Sequence, residues 1–97
     1  MDINKKLQNQ ETTELFEAVL KLNTIEECYA FFIDICTVSE LQALAQRLQV
    51  AKMLQDQVTY NDIVKKTGAS TATISRVKKC LEYGAGGYEF VLEELKK

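Results

Sequence analysis

The sequence predicts an all-α protein. Proline is absent from the 97 residues, and the β-branched alternation that marks strands is scarce. Apolar residues instead recur at spacings of three and four, the period of an amphipathic helix. Ser, Thr or Gly stands where these stretches begin or end, as at helix termini. We expect six helices in a single domain, because so short a chain builds one moderate core.

The N-terminal part of the chain predicts an arm followed by one helix. Residues 1–9 are polar and lack a convincing apolar face, so we expect a flexible arm there. The single helical domain is expected over residues 10–97. Its first helix should begin near Gln10 and, from its apolar stripe, end near Asn23.

The next two helices have more apolar surface than a single chain of this length can bury. Thr24 begins a capping box for the second helix, Ile25 to Cys36, which is apolar at nine of twelve positions. Thr37 begins another for a third helix that runs to about Gln55. A second copy of the chain would cover their faces, and we therefore expect a homodimer. The alternative is a compact monomeric bundle with exposed apolar patches.

A helix-turn-helix is predicted at about residues 59–82. Thr59 begins the first helix together with Asp62, each side chain capping the other's backbone N–H. Gly68 can adopt the positive φ that ends this helix, and Ser70 caps the second helix. In that second helix the apolar residues Ile74, Val77 and Leu81 face inward, and the polar or basic residues Thr71, Thr73, Ser75, Arg76 and Lys79 face elsewhere. Such a surface suits the DNA major groove.

Charge is concentrated on the same motif. Residues 59–81 carry five bases against one acid (+4), residues 1–58 five against nine (−4), and residues 82–97 two against four (−2). A basic motif in an otherwise acidic chain favours a nucleic-acid partner. The alternative is a basic helix pair that docks another protein.

The glycines that follow, from Gly84 onward, break the helix, and a last helix is expected from Tyr88 to Lys96.

Composition argues against several other classes of protein. The chain has no histidine, and its three cysteines lack a C-x-x-C spacing, so we expect no metal, no cofactor and no enzyme activity. The thiols are expected to be reduced and buried. No apolar run approaches the length of a membrane span, so we expect a cytoplasmic protein without a membrane partner.

Two segments carry a resemblance to a known family. They are TVSELQALAQRLQVAKMLQ (residues 37–55) and TYNDIVKKTGASTATISR (residues 59–76), and the most specific part lies between Gly68 and Ser75. The chain resembles the bacterial tryptophan repressor family, and within it the Trp-repressor-related YerC/YecD branch. The resemblance implies an intertwined, six-helix, all-α homodimer that binds double-stranded DNA as a repressor of transcription.

The resemblance also implies which residues bind ligands. Family positions at the operator are taken by residues in the turn and the start of the second motif helix, and Asn61 stands at a basic position of the first. With the basic residues of the motif, the predicted DNA-binding set is Asn61, Lys65, Gly68, Ala69, Ser70, Thr71, Ala72, Thr73, Ser75, Arg76 and Lys79. Thr37, Arg47 and Arg76 occupy the positions that contact the family's amino-acid effector.

Two departures from the family bear on that effector. Val77 replaces a glycine over which the indole ring of tryptophan packs, and Cys80 replaces a serine. We therefore expect a sequence-specific, homodimeric regulator that does not respond to L-tryptophan and whose effector is unknown. The alternative function is a helical protein-interaction module that does not bind DNA.

Overall fold

Six α-helices and no strand occur in the computed structural model, which describes residues 5–97. The helices are α1 (Gln10–Val19), α2 (Ile25–Ile35), α3 (Val38–Gln55), α4 (Tyr60–Thr67), α5 (Thr71–Tyr83) and α6 (Gly87–Leu95). The prediction of an all-α fold with six helices is confirmed. Residues 1–4 of the predicted arm lie outside the described residues. No helix in the described part of the chain is both long and apolar enough to cross a membrane.

Side chains cap the starts of α2 and α3 as the sequence predicts. The Thr24 hydroxyl accepts from the Glu27 N–H at 3.1 Å, and the Glu27 carboxylate accepts from the Thr24 N–H at 3.1 Å. At α3, Thr37 accepts from the Glu40 N–H at 3.1 Å, and Glu40 accepts from the Thr37 N–H at 2.7 Å. These hydrogen bonds satisfy backbone donors that a helix start leaves without partners. The bonds from Thr37 also lower the pKa of Glu40 below its ordinary value.

Helix α1 ends at Val19, several residues before the predicted end at Asn23. After it the backbone tightens: the Lys21 N–H bonds to the Ala18 carbonyl at 3.0 Å, a spacing of three residues instead of four. The Asn23 N–H is taken by the Glu27 carboxylate at 2.8 Å. Asn23 therefore already belongs to the cap of α2, which the apolar pattern alone did not indicate.

The chain divides into two compact units, one ending at Leu41 and the other beginning at Gln42. In the described part of the first unit, which contains α1 and α2, no side chain is fully buried. Its large apolar side chains are exposed instead, at Phe16, Leu20, Ile25, Tyr29, Ile33, Ile35 and Val38 among others. The amphipathic faces that the sequence predicts are therefore present in this unit and uncovered.

The second unit holds the buried core. Its members come from the four helices α3 to α6 and from the turn between α4 and α5: Val50, Ala51, Ile63, Ala69, Ile74, Val77 and Leu92. Because Ile74 and Val77 both lie in this core, the inner face of α5 is fixed against α3 and α4. The opposite face of α5 is thereby turned to solvent.

The cysteines differ from expectation. Cys28, Cys36 and Cys80 are free thiols, but Cys28 and Cys80 are exposed and Cys36 is only partly covered. The prediction of buried thiols is therefore wrong for the single chain. Cys28 lies on α2, which has no fully buried residue, and Cys80 lies outside the core that the inner face of α5 joins.

Candidate nucleic-acid interface

The C-terminal end of α4 has the conformation that the sequence predicts. Gly68 has φ of +73°, in the left-handed region, and its N–H bonds to the Val64 carbonyl at 2.8 Å. The hydroxyl of Thr67 donates to the Ile63 carbonyl at 2.7 Å and accepts from the Ala69 N–H at 3.1 Å. A glycine accommodates positive φ without the steric penalty of a Cβ atom. The chain can thus turn from α4 into α5 within three residues.

Two caps begin the helices of this motif, and one differs from its prediction. The Thr59 hydroxyl accepts from the Asp62 N–H at 3.3 Å, but Asp62 does not complete a capping box. Aspartate is one methylene shorter than the glutamates that complete the boxes of α2 and α3. At α5, Ser70 accepts from the Thr73 N–H at 3.1 Å and donates to the Thr73 hydroxyl at 3.1 Å. Thr73 still has its own hydroxyl hydrogen to donate.

The outer face of α5 is polar and accessible. Thr73 is half-buried, and the remaining predicted contact residues of this helix are exposed: Thr71, Ala72, Ser75, Arg76 and Lys79. Hydroxyl and guanidinium groups can hydrogen-bond to base edges and phosphates. The structure brings these side chains together on one solvent-facing surface, which we call the α5 outer face.

Ala69 is placed differently from the other predicted contact residues. Its side chain is 2% exposed and packs in the core. Its N–H is already bonded to Thr67. Its predicted role in DNA contact therefore has no support at the level of the side chain. What the sequence motif records at this position is packing of the turn.

Basic side chains also lie on α4. Lys65 and Lys66 occupy its last turn and are exposed, as is Asn61 in its first turn. Cations at a helix C-terminus interact favourably with the partial negative charge there. Lys78 of α5 lies with its Nζ 5.9 Å from the centre of the Tyr60 ring, so it links the two helices of the motif.

The predicted effector residues fall in both units. The hydroxyl of Thr37 caps α3 in the first unit, whereas Arg47 is half-buried and Arg76 exposed in the second. Val77 is 1% exposed and belongs to the core. Cys80 lines an apolar groove of about 470 Å³ together with Leu48, Gly84, Ala85, Gly87, Tyr88 and Val91. Among the described residues, no group of His, Cys, Asp or Glu side chains could hold a metal ion.

A residue of α3 also contacts this motif, and no sequence pattern predicts it. Gln46 of α3 is half-buried, and its Nε2 donates to the Thr67 carbonyl at 3.1 Å. The two residues are 21 positions apart, so no local pattern connects them. In the sequence, Gln46 is only a polar residue among the apolar residues of α3, and nothing there indicates its partner.

Comparison with known proteins places the chain in a family. The profile of the Trp repressor protein family matches residues 10–96. The uncharacterized protein YerC of Bacillus subtilis (strain 168) is 54% identical over 92 residues, which cover 95% of this chain and 88% of that protein.

Solved structures agree with this match. A TrpR-like protein from Eubacterium eligens ATCC 27750 is 53% identical, with a TM-score of 0.93 over 96% of both chains. A proposed Trp repressor from Staphylococcus aureus is 51% identical, with a TM-score of 0.92 over 95% of this chain and 92% of that one. The resemblance stated from the sequence and the TrpR-like fold are both confirmed. The chain therefore belongs to the Trp repressor family, whose members are regulatory DNA-binding proteins and not enzymes.

Proposed function

We propose that this protein is a sequence-specific regulator of transcription that binds double-stranded DNA as a homodimer and represses its target genes. The main support for the proposal is the α5 outer face, on which Thr71, Ser75, Arg76 and Lys79 are exposed. The opposite face of the same helix is buried in the core. Short hydroxyl side chains near the start of the helix suit base edges, and basic ones suit phosphates. We expect such a regulator to be cytoplasmic, because its DNA target lies there.

Uncovered apolar surface supports the dimer. Phe16 and Leu20 of α1 and Tyr29 and Ile33 of α2 are all more than half exposed. Side chains of this kind are normally removed from water, because burial of each contributes about 1.5–3 kcal/mol. A second copy of the chain would offer the same faces and could bury both sets. Two copies also present two motifs to the two half-sites of one operator.

Salt dependence distinguishes a DNA regulator from a protein-interaction module. A dimer brings two motifs of charge +4 to the phosphates. With about four to eight phosphate contacts, the logarithm of the binding constant should fall against the logarithm of salt concentration with a slope of about −4 to −7. Lys79→Ala should weaken all sequences alike and make the slope shallower by about one for each phosphate that the lysine neutralises. An affinity for duplex DNA that does not change with salt concentration would favour the protein-interaction module instead.

We also propose that L-tryptophan does not regulate this protein. In the family the indole ring packs over the residue that corresponds to Val77, and the Val77 side chain is packed in the core. Overfilling a tight site typically costs about 1–3 kcal/mol, or roughly one to two decades of affinity. The apolar group that a ligand would supply is already part of the chain. DNA binding would then need no corepressor.

Fluorescence can test this second part directly. The chain contains no tryptophan, so added L-tryptophan can be excited without background from protein indole. We expect no micromolar binding and unchanged DNA affinity in its presence. Micromolar binding with a large gain in DNA affinity would contradict the proposal. Val77→Gly should open the position and gain a tryptophan response, although loss of the buried side chain should lower the free energy of unfolding by about 2–4 kcal/mol.

A further inference from the structure

We infer that Gln46 is a positioning residue that holds the turn of the DNA-binding motif against α3, and that the specificity of DNA binding depends on it. The inference rests on the proposed function. Two separate groups of Thr67 accept hydrogen bonds at this turn. Gln46 Nε2 donates to the Thr67 carbonyl at 3.1 Å, and the Thr67 hydroxyl accepts from the Ala69 N–H at 3.1 Å.

The Thr67 carbonyl is a group that needs a partner from outside its helix. Thr67 is the last residue of α4, and the last carbonyls of a helix have no intrahelical donor. Gln46 supplies that donor from a partly buried position, where an unmade hydrogen bond is costly. The side chain of α3 thereby completes the end of α4.

The bond lies where movement of the motif would matter most. Only Gly68, Ala69 and Ser70 separate Thr67 from the first residue of α5. Ala69 is buried on the core side of this turn, and the Thr67 hydroxyl also donates to the Ile63 carbonyl at 2.7 Å. A tether at Thr67 therefore limits how far the start of α5 can move relative to α3.

Such a restraint would act on specific recognition more than on general affinity. Base edges must be met with correct orientation at both half-sites, whereas phosphates tolerate a looser fit. If the motif moved freely before binding, ordering it would reduce the affinity for the correct sequence. Loss of one net hydrogen bond corresponds to about a threefold to tenfold change in affinity for each protomer.

The test compares specific with random-sequence duplexes for matched variants. Gln46→Met keeps the length of the side chain but removes the donor. Gln49→Met makes the same change at an exposed position of the same helix and serves as the control. We expect Gln46→Met to lower the ratio of specific to random-sequence affinity at least threefold, with Gln49→Met at the wild-type ratio. An unchanged ratio in Gln46→Met would overturn the inference.

Two further measurements separate positioning from folding and from the proposed function. Thr67→Ser keeps both the carbonyl that accepts from Gln46 and the hydroxyl that accepts from the Ala69 N–H, so it should retain the ratio. Thr67→Val keeps the bond from Gln46 but removes the hydroxyl bond, and it should lower the ratio because both bonds hold the turn. In the protein without DNA, the amides of Gly68 and Ala69 should exchange hydrogen faster in Gln46→Met, relative to the core amides of Val50 and Ala51. Equal exchange would overturn the tether. A wild-type affinity ratio of one would reject the proposed function, and exchange would then decide alone whether Gln46 holds the turn.

Discussion

Gln57 adopts a backbone conformation that its side chain does not favour. Its φ is +61°, and among the described residues it is the only one other than glycine with a positive φ. It ends α3 with two hydrogen bonds, from the Gln57 N–H to the Leu54 carbonyl at 3.1 Å and from the Val58 N–H to the Met53 carbonyl at 3.0 Å. This is the Schellman arrangement, in which glycine is the usual residue. The left-handed conformation costs an L-residue roughly 1–2 kcal/mol.

Gln57→Gly should therefore stabilise the protein. Relief of the backbone strain exceeds the added freedom of the unfolded chain by about 0.5–1 kcal/mol. Chemical denaturation followed by circular dichroism measures this difference. Gln57→Ala is the control and should bring no gain, since alanine keeps the penalty at positive φ. A Gly variant less stable than wild type would show that the Gln57 side chain itself stabilises the turn.

Single residues also mark where the sequence could not predict the site. Ala69 belongs to a family motif that predicts a position at DNA, and the motif alone does not indicate that its small side chain packs in the core. Gln46 has no local signal because its partner lies 21 residues away. Residues that contact solvent at regular helical spacing, such as Ser75 and Lys79, were predictable. Contacts made across the fold were not.

At the scale of the helix, the start of α3 should depend on pH. Hydrogen bonds from Thr37 stabilise the charged form of Glu40 and lower the pKa of this carboxyl below 4.5. A carboxyl with a lowered pKa adds stability above its unfolded pKa and loses it as pH falls through its folded pKa. The stability contributed by this cap should therefore decline below about pH 4.5.

Carboxyl chemical shifts followed against pH test this expectation. Thr37→Val removes the hydroxyl and should raise the pKa of Glu40 toward its ordinary value. Glu40→Gln keeps the side-chain length without a titrating group, so the stability difference between it and wild type should shrink as pH falls below about 4.5. If Glu40 in the wild type titrates at its ordinary pKa, the cap does not contribute to the pH dependence of stability.

Helix boundaries were predictable where side chains form them. Thr24, Thr37 and Ser70 stand in cap motifs, and each caps the helix that its motif indicated. The end of α1 was not predictable, because Glu27 takes the Asn23 N–H into the cap of the following helix. Apolar periodicity continues through that turn and so placed the helix end too late.

At the scale of the whole molecule, the uncovered apolar faces lead to a prediction about assembly. The protein should sediment at low micromolar concentration with twice the chain mass of 11.0 kDa. Ile33 is 62% exposed in the single chain, and Ile33→Glu should prevent assembly by adding a charge to a face that the proposed dimer would bury. The exposed Asp34 provides a control, because Asp34→Asn should leave the mass unchanged. A folded wild-type monomer would contradict the dimer.

Selection of bound DNA from a pool of random duplexes tests whether the α5 outer face recognises a specific sequence. We expect one enriched, two-fold symmetric sequence whose half-sites lie about one helical turn apart. Thr73→Ala and Ser75→Ala should change the enriched bases, whereas Lys79→Ala should lower recovery without changing them. A wild-type protein that enriches no sequence from the pool would contradict sequence-specific regulation through the α5 outer face.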